Sequence, residues 1–314
     1  FGYDSNGGDT MKQEMTITTA YGTIAGTFLS HEEPRATIVM LSGSGPSDRD
    51  GNMGGVGFNT YAKLAEALYD HGYNVFRYDK QGIGKSDGDF NKVGLHDLIN
   101  DAILVVRTIR QLADVNRLYL LGHSEGAVLA PAVQLETKAD GLILLSGFHE
   151  SSKQMFLYQA DALAKDIEHV KGIKGLFYRL TGVAKKVRQR QDDLLERSLR
   201  TNVSSFKYRG QVVNAKWIRE HASYDVRERL EHVTVPVLAI TGGRDVQVPP
   251  EHVHMIQTKG EVTSSIIDDM NHLLVTRESP HSLLTLHKEY REAIDAPIHP
   301  KLVQELDEWL KKQS

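Results

Sequence analysis

The stretch that decides the fold is Leu118-Tyr119-Leu120-Leu121-Gly122-His123-Ser124-Glu125-Gly126-Ala127-Val128-Leu129-Ala130. Its first four residues predict a strand and its last four a helix, so a sharp turn must lie between them. Gly122 and Gly126 leave room for the strand and the helix to approach each other. Ser124 then lies at the helix start, where free backbone N–H groups and the helix dipole favour negative charge. A G-x-S-x-G match arises by chance in long chains, but the flanking strand and helix favour a nucleophilic serine.

Length and composition limit the kind of protein that can carry this serine. A chain of 314 residues can bury a large core and corresponds to one elaborated domain, or two at most. Its apolar fraction of 40% and charged fraction of 25% are ordinary for a globular enzyme. The net charge of -4 argues against a nucleic-acid partner. The lack of cysteine excludes disulfides, thiolate metal sites and a cysteine nucleophile.

The chain shows no sign of a membrane span, since no apolar run approaches the roughly 20 residues that a span requires. Residues 1–10 are polar, glycine-rich and without an initiating methionine. We interpret them as an added leader or a disordered terminus. We expect a cytoplasmic protein, with a removed signal peptide as the open alternative, and both a monomer and a homodimer stay open.

Apolar runs alternate with amphipathic stretches on both sides of the serine motif. A hairpin joined at Tyr21-Gly22 opens the chain, and the later runs are continuous and apolar, as is typical of strands buried on both faces of a parallel sheet. The predicted strands are 15–19, 23–29, 36–41, 73–78, 118–121, 141–146, 236–240 and 264–267. This alternation predicts an α/β fold with a mostly parallel, doubly wound sheet, formed by residues 11–147 and 233–314.

The alternation stops between residues 148 and 232, which show helical periodicity and no convincing buried strand. We predict an inserted helical cap, which lies over the mouth of the site because the strands before and after it end at the same sheet edge. We expect some of its aromatic residues to bind substrate, although each of them could instead only seat the cap on the core. The candidates are Phe156, Phe177, Tyr178 and Trp217.

One part of this insertion is locally basic. Its cations are Lys185, Lys186, Arg188 and Arg190, and acidic residues follow directly. This mixture is typical of a solvated helix face, so we predict neither a nucleic-acid nor a membrane surface there.

Three side chains follow three predicted strands and form a candidate catalytic triad. Ligands of open α/β sheets bind outside the carboxyl ends of the strands, and this rule brings Ser124, Asp245 and His272 to one edge. A serine needs a base near neutrality, for which an imidazole is suited, and the imidazole needs a carboxylate on its other nitrogen. The residues occur in the order Ser, Asp, His, with separations of about 121 and about 27 residues. This is the order expected of hydrolases whose serine lies on a strand–turn–helix motif.

Other residues compete for these roles. Asp268 and Asp269 are carboxylates, but they are too close in sequence to the histidine to reach round its ring. We expect His123 to point away from the serine. A metal site at Asp245, His252 and His254 is disfavoured, because two helical residues at i and i+2 face different directions. We therefore predict neither a metal nor a cofactor.

The whole chain from about Met15 to Lys311 resembles the α/β-hydrolase-fold serine esterases, in the bacterial group of serine aminopeptidase-like and dienelactone hydrolase-like enzymes. Four segments carry the resemblance: the loop 43–52, the turn 79–86, the histidine motif 271–273 and the closing helix 300–310. The loop resembles that group's oxyanion loop, which implies backbone N–H donors at Ser44 and Glu125. It departs from related hydrolases in one respect, because Ser42-Gly43 replaces the common His-Gly pair.

The charged residues Asp48, Arg49 and Asp50 lie within the same loop. We expect them to brace it by mutual ion pairing, with a substrate contact by Arg49 as the alternative. The resemblance implies hydrolysis of a small-molecule carboxylic ester through an acyl-enzyme, with a bulky ester or macrocyclic lactone as possible substrates. Hydrolysis of an amide, peptide or thioester on the same residues stays open, and so does a non-catalytic ligand-binding protein.

Overall fold

The computed structural model of the chain describes residues 11–112, 115, 117–278 and 282–313. Its centre is an eight-stranded sheet with the order β1-β2-β4-β3-β5-β6-β9-β10. Strands β1 and β2 form an antiparallel edge, and the other six strands of this sheet, β4, β3, β5, β6, β9 and β10, are parallel to one another. These strands are β1 Met11–Thr19, β2 Gly22–Ser30, β3 Thr37–Leu41, β4 Asn74–Tyr78, β5 Leu118–His123, β6 Gly141–Leu145, β9 Val237–Gly242 and β10 Val262–Ile267. The prediction of a mostly parallel α/β sheet is confirmed, while our interpretation of residues 1–10 lies outside the described residues.

Helices cover both faces of the sheet, which explains why its strands are continuously apolar. In β3, Ile38 and Met40 pack on one side, with α1 and α10, whereas Val39 and Leu41 pack on the other, with α2 and α3. The helices of this layered core are α1 Thr60–Asp70, α2 Leu95–Leu112, α3 Glu125–Thr137, α9 Leu286–Glu292 and α10 Pro300–Lys312, with short 3-10 turns at Phe90–Lys92 and Pro250–Met255.

The chain between β6 and β9 forms the predicted insertion. Its elements are α4 Ser152–Glu168, α5 Gly172–Thr181, α6 Val183–Leu199, β7 Ser205–Tyr208, β8 Gln211–Asn214, α7 Ala215–Ala222 and α8 Arg227–Leu230. Helix α7 is attached to the core: Asn214 donates its amide to the carbonyls of Phe90 and Val93 at 2.9 and 2.8 Å, and Lys216 pairs with Asp97 at 2.5 Å.

The insertion also contains two short strands, β7 and β8, which pair as an antiparallel hairpin and contain no buried residue. The two turn residues, Arg209 and Gly210, have φ values of 51° and 83°, which is the left-handed pair that a tight hairpin favours. Each strand is four residues long and only partly buried, so it leaves no apolar run that periodicity could detect.

Helix α9 lies between β10 and α10, in a segment to which the sequence analysis assigned no role. In the described parts of the chain, each helix is too short or too polar to cross a bilayer.

Candidate active site

The turn between β5 and α3 holds Ser124 in an uncommon backbone conformation, with φ 54° and ψ -113°. Positive φ costs free energy in a residue with a side chain, so surrounding contacts must hold it. The serine N–H donates to the Leu145 carbonyl at 2.9 Å. A side-chain carbon at Gly122 would overlap the Gly126 backbone, and one at Gly126 would overlap the Leu41 carbonyl. The two glycines therefore permit the close approach that this turn requires.

His272 and Asp245 form a buried pair at the same sheet edge. The Nδ1 atom of His272 lies 2.7 Å from Oδ2 of Asp245, whose other oxygen accepts the N–H groups of Gln247 and Val248 at 2.9 and 3.0 Å. Burial alone would raise the pKa of Asp245, but the neighbouring imidazole and the backbone donors outweigh burial and lower it. The carboxylate is therefore ionised and fixed in orientation. The competitor Asp269 instead accepts from His299 at 3.0 Å.

A cavity of about 330 Å³ contains both Ser124 and His272 in its wall. The loop after β3 contributes Ser44 and apolar side chains, and Leu273 and helix α9 also contribute to the wall. The apolar lining includes Met53, Val56, Phe58, Leu273, Leu286 and Tyr290, and the polar lining includes Gln247, His287 and Arg291.

The four candidate aromatic residues of the insertion are not among the residues described as lining this cavity. Trp217 donates its indole N–H to Oε1 of Glu125 at 2.7 Å, and the Phe156 ring lies 5.4 Å from the Trp217 ring. Tyr178 packs in a small apolar cluster within the cap, and Phe177 is 59% exposed. Helix α9, whose position sequence periodicity did not reveal, contributes Leu286, His287, Tyr290 and Arg291 to the lining.

Arg49 also differs from expectation. Its guanidinium binds Asp79 at 2.8 Å and Glu14 at 3.0 Å, and it is not among the cavity-lining residues that the structure describes. Asp50 pairs with Arg77 at 2.8 Å. The predicted mutual ion pairing within the loop is therefore wrong, because carboxylates and cations from the neighbouring strands lie closer. These pairs attach the loop to the sheet.

His123, which we expected to point away from Ser124, is buried in the wall of the same cavity, and its ring nitrogens bind groups other than the serine. Its Nε2 atom is 2.9 Å from the His272 carbonyl, so this nitrogen carries the proton. Its Nδ1 atom then accepts from the Tyr61 hydroxyl at 2.9 Å, and that hydroxyl accepts the N–H of Gly43 at 2.7 Å. This directed chain joins the loop after β3 to the backbone of the candidate base.

His123 makes folding stability depend on pH. Burial, with a smaller effect of His272, lowers the pKa of His123 to about 3, whereas an unfolded histidine has a pKa of about 6.5. Between these values the unfolded chain binds a proton that the folded chain does not bind. We therefore expect His123 to reduce the free energy of unfolding by up to about 1.4 kcal/mol for each pH unit of acidification below pH ~6.

Urea unfolding of the wild type and of His123→Gln between pH 4 and pH 7 measures this effect. In His123→Gln, the free energy of unfolding should depend less steeply on pH than in the wild type. His169→Gln, which alters an exposed histidine, should keep the wild-type dependence. Equal slopes in all three proteins would contradict a buried neutral imidazole.

Lys80 is a buried cation that the sequence analysis did not single out, although it directly follows a buried strand. Its ammonium donates to the carbonyls of Gly43 and Gly45 at 2.6 and 2.8 Å, and it lies 3.6 Å from Oε2 of Glu125. Burial lowers the pKa of Lys80, and the Glu125 carboxylate opposes that effect. Lys80 thereby fixes the carbonyls on both sides of Ser44.

The side chain of Glu125 extends this buried cluster to the cap, since it contacts Lys80, Trp217 and, at 2.9 Å, Nε2 of His221. Burial by itself would raise the pKa of Glu125, but the Lys80 ammonium and the His221 contact outweigh burial and lower it to about 2. One ionised carboxylate next to the serine therefore contacts both the loop cation and the cap.

The residues considered for a metal are not grouped. His254 binds the Ser264 hydroxyl at 2.9 Å, and His252 lies 3.4 Å from the N–H of His149. Within the described ranges, no three metal-binding side chains come together.

Comparison with known proteins relates this geometry to a family. Residues 32–279 match the family described as serine aminopeptidase, S33. Esterase EstD from Thermotoga maritima is 25% identical over 288 residues, which cover 89% of this chain but 63% of the esterase, so the chain spans less than two thirds of that relative. A 2-hydroxy-6-oxononadienedioate/2-hydroxy-6-oxononatrienedioate hydrolase from Cupriavidus pinatubonensis is 28% identical over 244 residues, covering 68% and 72% of the two chains.

Solved structures share the fold at low sequence identity. Est1E from Butyrivibrio proteoclasticus with bound ferulic acid superposes with a TM-score of 0.59 at 17% identity, covering 95% of this chain and 98% of that one. Alpha/beta hydrolase domain-containing protein 10 from mouse superposes with a TM-score of 0.58 at 16% identity, covering 96% of this chain and 100% of that one. These likenesses identify the α/β-hydrolase fold.

Proposed function

The chain belongs to the serine aminopeptidase S33 family of α/β-hydrolases, and on this basis we propose that it is a serine hydrolase that cleaves carboxylic esters. The observation that carries the proposal is the 2.7 Å pair of His272 and Asp245 in the cavity whose wall contains Ser124. The similarity to an esterase over 89% of the chain supports the ester as substrate.

In the proposed reaction, the Ser124 hydroxyl attacks the ester carbonyl while Nε2 of His272 takes its proton. Asp245 holds the proton of Nδ1, so Nε2 is the nitrogen free to accept, and the carboxylate stabilises the imidazolium. The imidazolium then protonates the leaving alcohol, which leaves an acyl group on Ser124. His272 next removes a proton from water, the resulting oxygen attacks the acyl carbonyl, and the acid is released with the serine restored.

The proposed oxyanion donors are the backbone N–H groups of Ser44 and Glu125. The N–H of Gly43 is already bonded to Tyr61, which leaves Ser44 as the next donor of this loop. In a trans peptide the N–H points opposite to the preceding carbonyl. Because Lys80 binds the Gly43 carbonyl, the N–H of Ser44 is directed away from Lys80. Lys80 thus acts as a positioning residue for this donor.

Lys80→Met is expected to lower kcat by roughly 100-fold with little change in KM, since a misplaced oxyanion donor affects the transition state more than the bound ester. The control is Lys85→Met, which removes a 76% exposed lysine from the same turn and should leave kcat unchanged. Because Lys80→Met removes the lysine that neutralises the buried Glu125 carboxylate, the double variant Lys80→Met/Glu125→Gln separates stability from catalysis: it should recover stability but not kcat. A change in KM alone would contradict this role.

The lining of the cavity favours an ester over the amino-terminal amide that the family description suggests. An aminopeptidase must bind a free ammonium group, for which a carboxylate is suited, but the described lining of this cavity contains no Asp or Glu and includes the cation Arg291. The volume of about 330 Å³ is at the lower end of the roughly 300–1,000 Å³ of ligand pockets. This size favours a compact acyl group over a macrocyclic lactone.

A substrate panel tests the proposal. Wild-type protein should hydrolyse p-nitrophenyl acetate and butyrate with kcat/KM at least about tenfold above that for the decanoate, since a compact pocket rejects the longer chain. It should show little activity on aminoacyl p-nitroanilides. Faster hydrolysis of the anilides would overturn the ester assignment, and absence of labelling by a fluorophosphonate would overturn the serine hydrolase assignment.

A further inference from the structure

Helix α5 of the cap exposes an apolar stripe to solvent. The exposed fractions are 90% for Ile173, 52% for Leu176, 59% for Phe177 and 78% for Leu180. At about 100° per residue, the spacing i, i+3, i+4, i+7 places all four on one face of the helix. We refer to these four residues as the α5 stripe.

The opposite face of α5 is the one that packs on the cap. Gly175 is buried, and the Tyr178 ring belongs to the apolar cluster that α4 and α6 form around Ala164 and Ile167. The α5 stripe therefore faces solvent, whereas the apolar face of an ordinary surface helix is buried. An exposed apolar face of this kind marks an interaction surface.

The segment that carries the stripe is rich in cations and contains no acidic residue. Residues 169–190 contain seven Lys and Arg residues and no Asp or Glu, although the whole chain has a net charge of -4. The seven are Lys171, Lys174, Arg179, Lys185, Lys186, Arg188 and Arg190. Arg188 pairs with Asp161 and Glu168, but Lys171, Lys174, Lys185 and Lys186 are exposed and form no ion pair with a described residue.

The charge pattern distinguishes between possible partners. A second copy docking through the same face would place these cations opposite one another, because a two-fold interface brings identical patches together. A nucleic acid would satisfy the cations but not four apolar side chains. An anionic lipid surface satisfies both, since the stripe enters the acyl boundary while the lysines contact the headgroups.

We propose that α5 is a peripheral membrane-docking element, in which the α5 stripe inserts into the interface of a bilayer that contains anionic lipids. The sequence by itself favours a solvated face for the neighbouring lysines, because the outward direction of the stripe depends on packing within the cap. The proposal does not depend on which bond the active site hydrolyses.

Co-sedimentation of the full chain with vesicles tests the proposal. Wild-type protein should sediment with vesicles of phosphatidylcholine and phosphatidylglycerol, and the bound fraction should fall at high salt, because screening weakens the contacts of the lysines. Ile173→Ser/Leu180→Ser should weaken binding by at least roughly tenfold, because two large side chains no longer enter the bilayer. Lys171→Gln/Lys174→Gln should weaken it by a similar factor.

Val212→Ser is the matched control, since it changes a 53% exposed apolar residue of the cap outside α5 and should leave vesicle binding unchanged. All variants should keep the wild-type melting temperature and the wild-type rate on a short soluble ester. Failure of the wild type to sediment, equal sedimentation with pure phosphatidylcholine, or binding that survives Ile173→Ser/Leu180→Ser would overturn the proposal. Light scattering that shows a dimer dissociated by that variant would assign the stripe to a second copy instead.

Discussion

Replacing either Ser124 or His272 by alanine is expected to lower kcat by roughly 10,000- to 1,000,000-fold, and replacing both is expected to cost little more. Attack by the serine oxygen and transfer of its proton to the imidazole belong to one step, so loss of either group removes the same pathway. The rate acceleration that remains in these variants comes from the oxyanion donors and from substrate binding.

Steady-state hydrolysis of a p-nitrophenyl ester by the two single variants and the double variant measures this effect. Ser44→Ala is the matched serine control, because it removes a hydroxyl from the same cavity and keeps the backbone N–H. His254→Ala is the histidine control, since its ring binds Ser264 and does not belong to the described lining of the cavity. Both controls should stay within about tenfold of the wild type, because neither removes a reacting group. Losses that multiply in the double variant would show that Ser124 and His272 do not act together.

Asp245→Asn is expected to lower kcat by about 10,000-fold while the fold is retained. The carboxylate accepts the Nδ1 proton of His272, whereas an amide can donate to that nitrogen and so move the ring proton to Nε2. The imidazole would then present a donor to Ser124 and could not take its proton.

Asp268→Asn and Asp269→Asn are the controls for this acid. Asp269 is bound to His299, so its replacement should affect the local stability of that contact and leave kcat near the wild-type value. A larger loss of kcat in either control than in Asp245→Asn would move the acid role away from Asp245.

The buried cluster of Lys80 and Glu125 links parts of the molecule that are distant in sequence. Lys80 binds the loop that carries Ser44, and Glu125 contacts both Lys80 and Trp217 of the cap. The side chain of Trp217 therefore seats the cap beside the nucleophile and does not line the cavity, which corresponds to the alternative role considered for the aromatics. Displacement of the cap would disturb the carboxylate that neutralises Lys80.

The positions of the strands along the chain and the edge at which they end could be predicted because they depend on local patterns. The run 118–121 is apolar on both faces, and residues such as Ile38 and Val39 pack on opposite sides of the sheet, so continuous hydrophobicity indicates a buried parallel strand. The glycines at 122 and 126 likewise reflect a steric requirement between neighbouring segments. The carboxyl ends of β5, β9 and β10 then bring Ser124, Asp245 and His272 to one edge.

The partner of each polar side chain could not be predicted, because several opposite charges compete and long-range packing decides between them. Arg49 had two acidic neighbours in sequence but binds Asp79 and Glu14, and His123 turned towards Tyr61 and the His272 backbone. The wall of the cavity and the outward face of α5 depend in the same way on how helices pack against each other. Periodicity identifies the apolar face of a helix, but only the packed structure determines whether that face is buried or meets solvent, as it does at Ile173 and Leu180.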